Sequence, residues 1–306
     1  MPIHHVSPGR GLSWLGESLD MAGRRPATVL GAALLALVTA IVVAVVAVMV
    51  LMPGAGGTGS VGETLGRMLP LGVLMLALQP VLLGGLVSVV ARIDRGEPTA
   101  ATGVFAGFLG GRLLPLASLG LIQVAAAGLN LLLLDWLGGG DYLARYIEFL
   151  NGLEPGAGFD PEAVPQPQNA GLLTIANLFV NLLATALLAF SVAQVMLGGL
   201  GPLQALRSAF AGTLANLPAA LLAGAVALLG LMLAAVVVSL VVALFAALGS
   251  LVTPLLGQLL GFSVLLLAML AVIAMLAGAT YLAWRDIFAG PGGSGARAEP
   301  VVEAEL

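Results

Sequence analysis

The chain has 306 residues, 60% of them hydrophobic and 8% charged, with 11 basic and 15 acidic side chains and a formal net charge of −4. Soluble domains carry about 25% charged residues, so a cytosolic enzyme, a nucleic-acid binder and a disordered chain are excluded. There is no cysteine, which removes disulfides, thiolate metal sites and thiol nucleophiles.

Taken from the N-terminus, the chain first shows adjacent histidines, His4 and His5. Neighbouring imidazoles without carboxylate or thiolate help do not make a metal site, and neither metal nor cofactor is expected. Gly11–Arg25 follows, with Leu12, Leu15 and Leu19 apolar and Pro26 closing it. That spacing predicts a short amphipathic helix in the membrane plane, with Trp14 at the lipid interface.

A helix needs about 20 apolar residues to cross roughly 30 Å of hydrocarbon. Six stretches qualify: Ala27–Met52, Leu69–Ala91, Leu113–Leu137, Ala170–Leu200, Pro218–Gly249 and Pro254–Phe288. The expected fold is therefore all-α and polytopic, a single transmembrane domain over residues 1–288. The first stretch is too long for a signal h-region and reads as a retained span. Only Ser250–Thr253 separates the last two, which predicts a tight hairpin; a break near Gly249–Gly261 would instead make part of them re-entrant. Residues 138–169 form a large acidic loop carrying a short helix near Asp141–Leu150, and residues 289–306 read as a disordered tail.

The chain has no lysine, so its arginines set the orientation. Arg10, Arg24, Arg25, Arg92, Arg95, Arg112, Arg207, Arg285 and Arg297 fall on one side, against Arg67 and Arg145 on the other. The positive-inside rule then predicts both termini in the cytoplasm of a bacterial inner membrane.

Two more juxtamembrane segments resemble the first. Pro202–Leu217 repeats Leu203, Leu206, Phe210, Leu214 and Leu217 at steps of three and four, and Pro98–Arg112 carries Phe105, Phe108 and Leu109. Phe105-Ala106-Gly107 matches Phe210-Ala211-Gly212 directly. The pattern predicts a pseudo-threefold repeat of interfacial helix plus hairpin, with Leu203, Phe210 and Leu214 in the acyl boundary.

Pro8-Gly9-Arg10-Gly11-Leu12-Ser13-Trp14-Leu15, Arg95-Gly96-Glu97 with Phe105-Ala106-Gly107-Phe108, and Tyr281-Leu282-Ala283-Trp284-Arg285-Asp286-Ile287-Phe288 resemble the motifs of a family of uncharacterised proteobacterial inner-membrane proteins. More distantly, the chain is similar to YciC-like proteins and to the membrane domains of glycerophosphodiester phosphodiesterases. The resemblance implies a six-helix inner-membrane protein and no activity. No phosphodiesterase catalytic domain is expected beside these spans, so that chemistry is not expected to transfer.

Ionisable residues inside spans mark ion or proton pathways, and none falls at mid-membrane here. Neutral polar residues do. Gln123 and Asn130 share a face of the third span, while Thr174, Asn177, Asn181 and Thr185 line one face of the fourth. These faces could meet as an amide ladder or line a cavity. Gln79-Pro80 predicts a kink or gate in the second span, because Pro80 removes the hydrogen bond to the Leu76 carbonyl.

Gly54–Gly59 and Gly290–Gly295 lack the lysine of a P-loop, and Ser18, Ser191 and the other serines have no expected histidine partner. An enzyme is not expected. The expected function is a structural, accessory or lipid-interacting membrane component whose partners are membrane lipids and other inner-membrane proteins. The alternative is a transporter or permease for a small neutral or lipidic solute.

Overall fold

Proline and glycine divide the apolar chain into ten α-helices in the computed structural model, which describes residues 3–51, 61–152 and 163–290. In order these are α1 (Arg10–Arg24), α2 (Pro26–Leu51), α3 (Val61–Asp94), α4 (Leu113–Ser118), α5 (Leu121–Gly138), α6 (Tyr142–Asn151), α7 (Ala170–Met196), α8 (Pro202–Ala215), α9 (Leu217–Ser250) and α10 (Pro254–Trp284). A 3-10 helix, Ala101–Phe108, lies between α3 and α4, and a π-helical turn, Arg285–Ala289, extends α10. No strand occurs among the described residues.

Six helical segments are long and apolar enough to cross a membrane: Pro26–Val50, Met68–Asp94, Leu113–Gly138, Ala170–Met196, Leu217–Ser250 and Pro254–Ala289. The chain therefore reads as a multi-pass membrane protein. These spans lie within a few residues of the stretches expected from composition. The last pair forms the tight hairpin. Thr253 caps α10 by accepting from the Leu256 amide, and Pro254 sits in the first turn, where its missing N–H does no harm. A β-carbon on Gly249 would crowd Gly257, so glycine lets the two helices touch backbone to backbone just beyond the turn.

The core is one-sided. Trp14, Val90, Ala277, Leu282 and Ile287 form its larger part, where α1, α3 and α10 meet. Val81, Leu116, Val192, Met196 and Ala205 form a smaller part between α3, α4, α7 and α8. Outside this core, α2, α7, α9 and α10 turn leucine, valine and phenylalanine outward, as a helix facing acyl chains does.

Arg10, Arg24, Asp94, Arg285 and Asp286 gather at one end of the bundle, here called the arginine-rich end. At the other end, the Gln168 and Asn169 amides donate to the Gly138 and Leu137 carbonyls, so the base of the loop is pinned shut. α6 lies in that loop with Tyr142 and Tyr146 stacked at 6.1 Å. The tail from 291 to 306, the Gly54–Gly59 stretch and loop residues 153–162 lie outside the described residues.

Two expectations need correction. Trp14 does not face lipid: it is 3% exposed, because its indole N–H donates to Asp286 in the interior. Pro98–Arg112 is not an amphipathic α-helix either. Gly103, Gly107, Gly110 and Gly111 weaken α-helix there, Gly110 and Gly111 taking positive φ of 64° and 72°. The segment instead runs back along α3 as a 3-10 helix. A β-carbon on Gly85 would overlap the Val104 carbonyl, and one on Gly107 would strike the Val81 carbonyl.

Candidate functional site

The motifs quoted from the start, middle and end of the chain converge at the arginine-rich end. Arg10 Nε donates to Asp286 Oδ2 over 2.6 Å, and Trp14 Nε1 donates to the same oxygen over 3.0 Å. Asp94, whose side chain is only 10% exposed, pairs with Arg285 at 3.0 Å and Arg24 at 3.3 Å. It also accepts from the Tyr281 hydroxyl at 2.9 Å. Arg10 additionally pairs with Glu17. The guanidinium of Arg10 is held above its ordinary pKa, chiefly by the hydrogen bond to Asp286, with burial opposing and Glu17 adding to the rise. These carboxylates answer these guanidiniums, so the cluster joins α1, α3 and α10 rather than presenting a charge to a ligand.

Next to it, the N-terminal segment is strapped across the α8–α9 joint. The His4 amide donates to the Ile287 carbonyl and the Val6 amide to Asn216 Oδ1, while Asn216 Nδ2 donates to the His4 carbonyl. His5 Nδ1 lies 3.1 Å from the Ala215 carbonyl. His4 and His5 border a cavity of about 470 Å³ with Ser7, Arg10 and Asp286. This amends the expectation that no serine has a histidine nearby. Even so, Asp286 is engaged by Arg10 and Trp14, and no hydrogen bond joins Ser7 to an imidazole among the described residues.

The polar residues of the membrane segments meet elsewhere, between α3, α5 and α7. Gln79, Gln123, Asn130, Asn181 and Thr185 line a cavity of about 340 Å³. Gln123 Nε2 donates to Gln79 Oε1 over 2.7 Å, which links α5 to α3. No amide bridge joins α5 to α7 among the described residues. Asn177 donates to the Leu173 carbonyl, Asn181 to the Asn177 carbonyl and Thr174 to the Ala170 carbonyl, each within its own helix. Asn130 Oδ1 is buried with no partner among the described residues. Gln79 does not cap the carbonyl that Pro80 leaves free at Leu76. Gly120 lies against it instead, where a β-carbon would clash.

On the other side of the α5–α7 pair lies a larger groove of about 870 Å³. Its walls are apolar side chains of α5 and α7, including Leu121, Leu129, Leu183 and Leu187, and its third wall is the α8 face of Leu203, Leu206 and Phe210. α8 is held against α7 by its small residues. Ala205 and Ala209 are fully buried, and Gln194 Nε2 donates to Ser208 Oγ over 2.9 Å. Because the small face of α8 takes the packing, its leucine and phenylalanine face is left to the groove and the surroundings: Leu203, Phe210 and Leu214 are exposed. Ala126 and Ala184 line both the groove and the amide cavity, which therefore share a wall.

Arg207 lines this groove and was not singled out as a site residue from sequence. A signal existed: it is the only charged residue between Glu162 and Arg285. Ala125 and Leu183 were missed as well, since nothing local distinguishes an alanine beside a groove from one in a packed seam. Among the described residues, no group of three or more His, Asp or Glu side chains could hold a metal ion. No family model matches the chain, and neither does a curated protein or a solved structure.

Proposed function

We propose that the protein is an accessory component of the bacterial inner membrane that engages lipid and has no catalytic chemistry of its own. Membership in the six-helix family that its terminal motifs resemble is part of the proposal, as is an orientation with both termini in the cytoplasm. The arginine count supports that orientation. The observation that carries the function is the apolar groove between α5, α7 and α8. Its volume is that of an ordinary ligand site, it lies among helices long and apolar enough to cross a membrane, and its walls are apolar apart from Ser118 and Arg207.

α1 and α8 act as interfacial helices in this reading. Each precedes a long apolar helix, and each leaves leucines exposed (Leu12 and Leu19, Leu203 and Leu214) while Trp14, Ser18 and Met21 of α1 and Ala205, Ala209 and Thr213 of α8 pack inward. Gly107 and Gly212 supply the repeat with equivalent positions. A β-carbon on Gly107 would meet the Val81 carbonyl, and one on Gly212 would meet the Phe288 ring. The middle unit keeps that glycine contact and has lost the α-helix around it.

Filling the groove tests the reading. Native mass spectrometry of the detergent-extracted protein should show phospholipid adducts that Ala125→Trp removes. Equal adducts in both would contradict it.

One observation favours the alternative reading as a permease for a small neutral solute. A buried amide carbonyl without a donor among the described residues, Asn130 Oδ1, faces an amide-lined cavity at membrane depth. Solute uptake into vesicles abolished by Asn130→Leu, with stability unchanged, would support a path there.

A further inference from the structure

We infer that the groove selects an anionic phospholipid, with the phosphate at Arg207 and the acyl chains along α5 and α7. The inference rests on the lipid-engaging reading and specifies its ligand.

Charge is the first ground. At the arginine-rich end, Glu17, Asp94, Glu97 and Asp286 each pair with Arg10, Arg24, Arg92, Arg95 or Arg285. Arg207 pairs with none of them among the described residues. Its own stretch offers no counter-charge either, since no acidic residue lies between Glu162 and Asp286. A guanidinium lining an apolar groove at the membrane edge favours an anion brought by the occupant.

Helix geometry is the second. The N-cap of α8 is Gly201, which has no side chain to cap the first-turn amides, and Pro202 and Leu203 line the same groove. Leu203, in the uncapped first turn, and Arg207 therefore line one groove, and a helix N-terminus and a guanidinium both favour phosphate. Elsewhere in the groove, Leu183, Leu187 and Leu129 offer hydrocarbon only. A cation above an apolar trough matches a phospholipid with a net negative headgroup. A soluble anion would leave the trough unfilled, and a zwitterionic lipid would bring its own cation to Arg207.

The test uses the full chain in phosphatidylcholine vesicles with trace spin-labelled phosphatidylglycerol or phosphatidylcholine. The readout is the motionally restricted lipid fraction that Ala125→Trp removes. Wild type should prefer phosphatidylglycerol roughly fivefold, the ratio that one arginine's attraction near a membrane surface gives. Arg207→Gln should bring the ratio close to one. Arg207→Lys should retain a preference, as should Arg112→Gln, which alters an exposed arginine outside the groove. Circular dichroism of each variant checks that the helices remain. Equal binding of the two lipids by wild type, or an unchanged preference in Arg207→Gln, overturns the anionic selection and leaves the lipid reading standing. A loss of preference in Arg112→Gln equal to that in Arg207→Gln also overturns it, because general surface charge would then be the cause. A restricted fraction insensitive to Ala125→Trp removes the groove as a lipid site and the lipid reading with it.

Discussion

Arg10 and Asp286 stand 276 residues apart in the chain, yet the guanidinium Nε donates to the carboxylate across 2.6 Å. The same carboxylate oxygen accepts the Trp14 indole N–H, so one side chain of the π-helical turn after α10 holds the first part of α1. Asp286→Asn should lower stability by about 1–2 kcal/mol. That is less than a fully buried pair would lose, because the Arg10 side chain remains 33% exposed. Thermal unfolding in detergent, with Arg10→Gln and the double variant completing the cycle, checks the value. A coupling energy near zero would show the contact to be incidental.

The pH behaviour of this contact follows from the sign of the shift at Arg10. Its pKa is raised above the ordinary arginine value on folding, chiefly by the hydrogen bond to Asp286, so the stabilisation is fully present below that ordinary value and is lost only above it. The stability gap between wild type and Asp286→Asn should therefore stay constant from neutral pH to about pH 10. A gap that closes over that range would contradict the assignment.

Glycines of the same helical type should answer substitution in opposite ways. Gly85→Ala drives a β-carbon into the Val104 carbonyl and should cost about 1–3 kcal/mol. Gly230 has nothing within 4 Å of its absent β-carbon, so Gly230→Ala should be neutral or stabilising by up to about 1 kcal/mol. Unfolding midpoints of the two variants in one detergent decide it.

In the amide cavity, Gln123→Leu removes the one interhelical amide contact from α5 to α3 and should cost about 0.6 kcal/mol. Asn130→Leu deletes a carbonyl that has no donor among the described residues, so it should be neutral or stabilising. A marked loss of stability on Asn130→Leu would mean that this carbonyl has a partner.

Tryptophan reports the burial pattern directly. Trp136 is 78% exposed and Trp14 is 3% exposed. In vesicles containing brominated lipid, a variant retaining only Trp136 should be strongly quenched, and one retaining only Trp14 should hold most of its emission. Equal quenching would place Trp14 at the lipid boundary after all.

The six long helices were legible because crossing hydrocarbon demands length and apolarity, both of which are local properties of the chain. Thr253-Pro254 likewise marks the α10 start through chemistry confined to one turn. What was not legible is pairing at a distance. Nothing near Trp14 announces that its partner is Asp286, so an aromatic beside exposed leucines reads as an interfacial anchor. Phe105, Phe108 and Leu109 have spacings that suit an α-helix, but four nearby glycines let the chain press onto α3 in a tighter helix. The amide faces were visible as periodic patterns, whereas their separation depends on α3 supplying Gln79 from a third direction. In sequence Arg207 is one more charge in the orientation count, and its isolation becomes meaningful only once α8 is seen to wall a groove.

The proposed lipid role depends on six crossings with the arginine-rich end in the cytoplasm. The absence of cysteine makes single-cysteine labelling the direct measurement, with Gln166→Cys beside α7 and Gln204→Cys on α8 as reporters. In intact spheroplasts, a membrane-impermeant maleimide should label the cysteine at position 166 at once and the one at 204 only after permeabilisation. Labelling of both before permeabilisation, or the reverse order, would contradict the account.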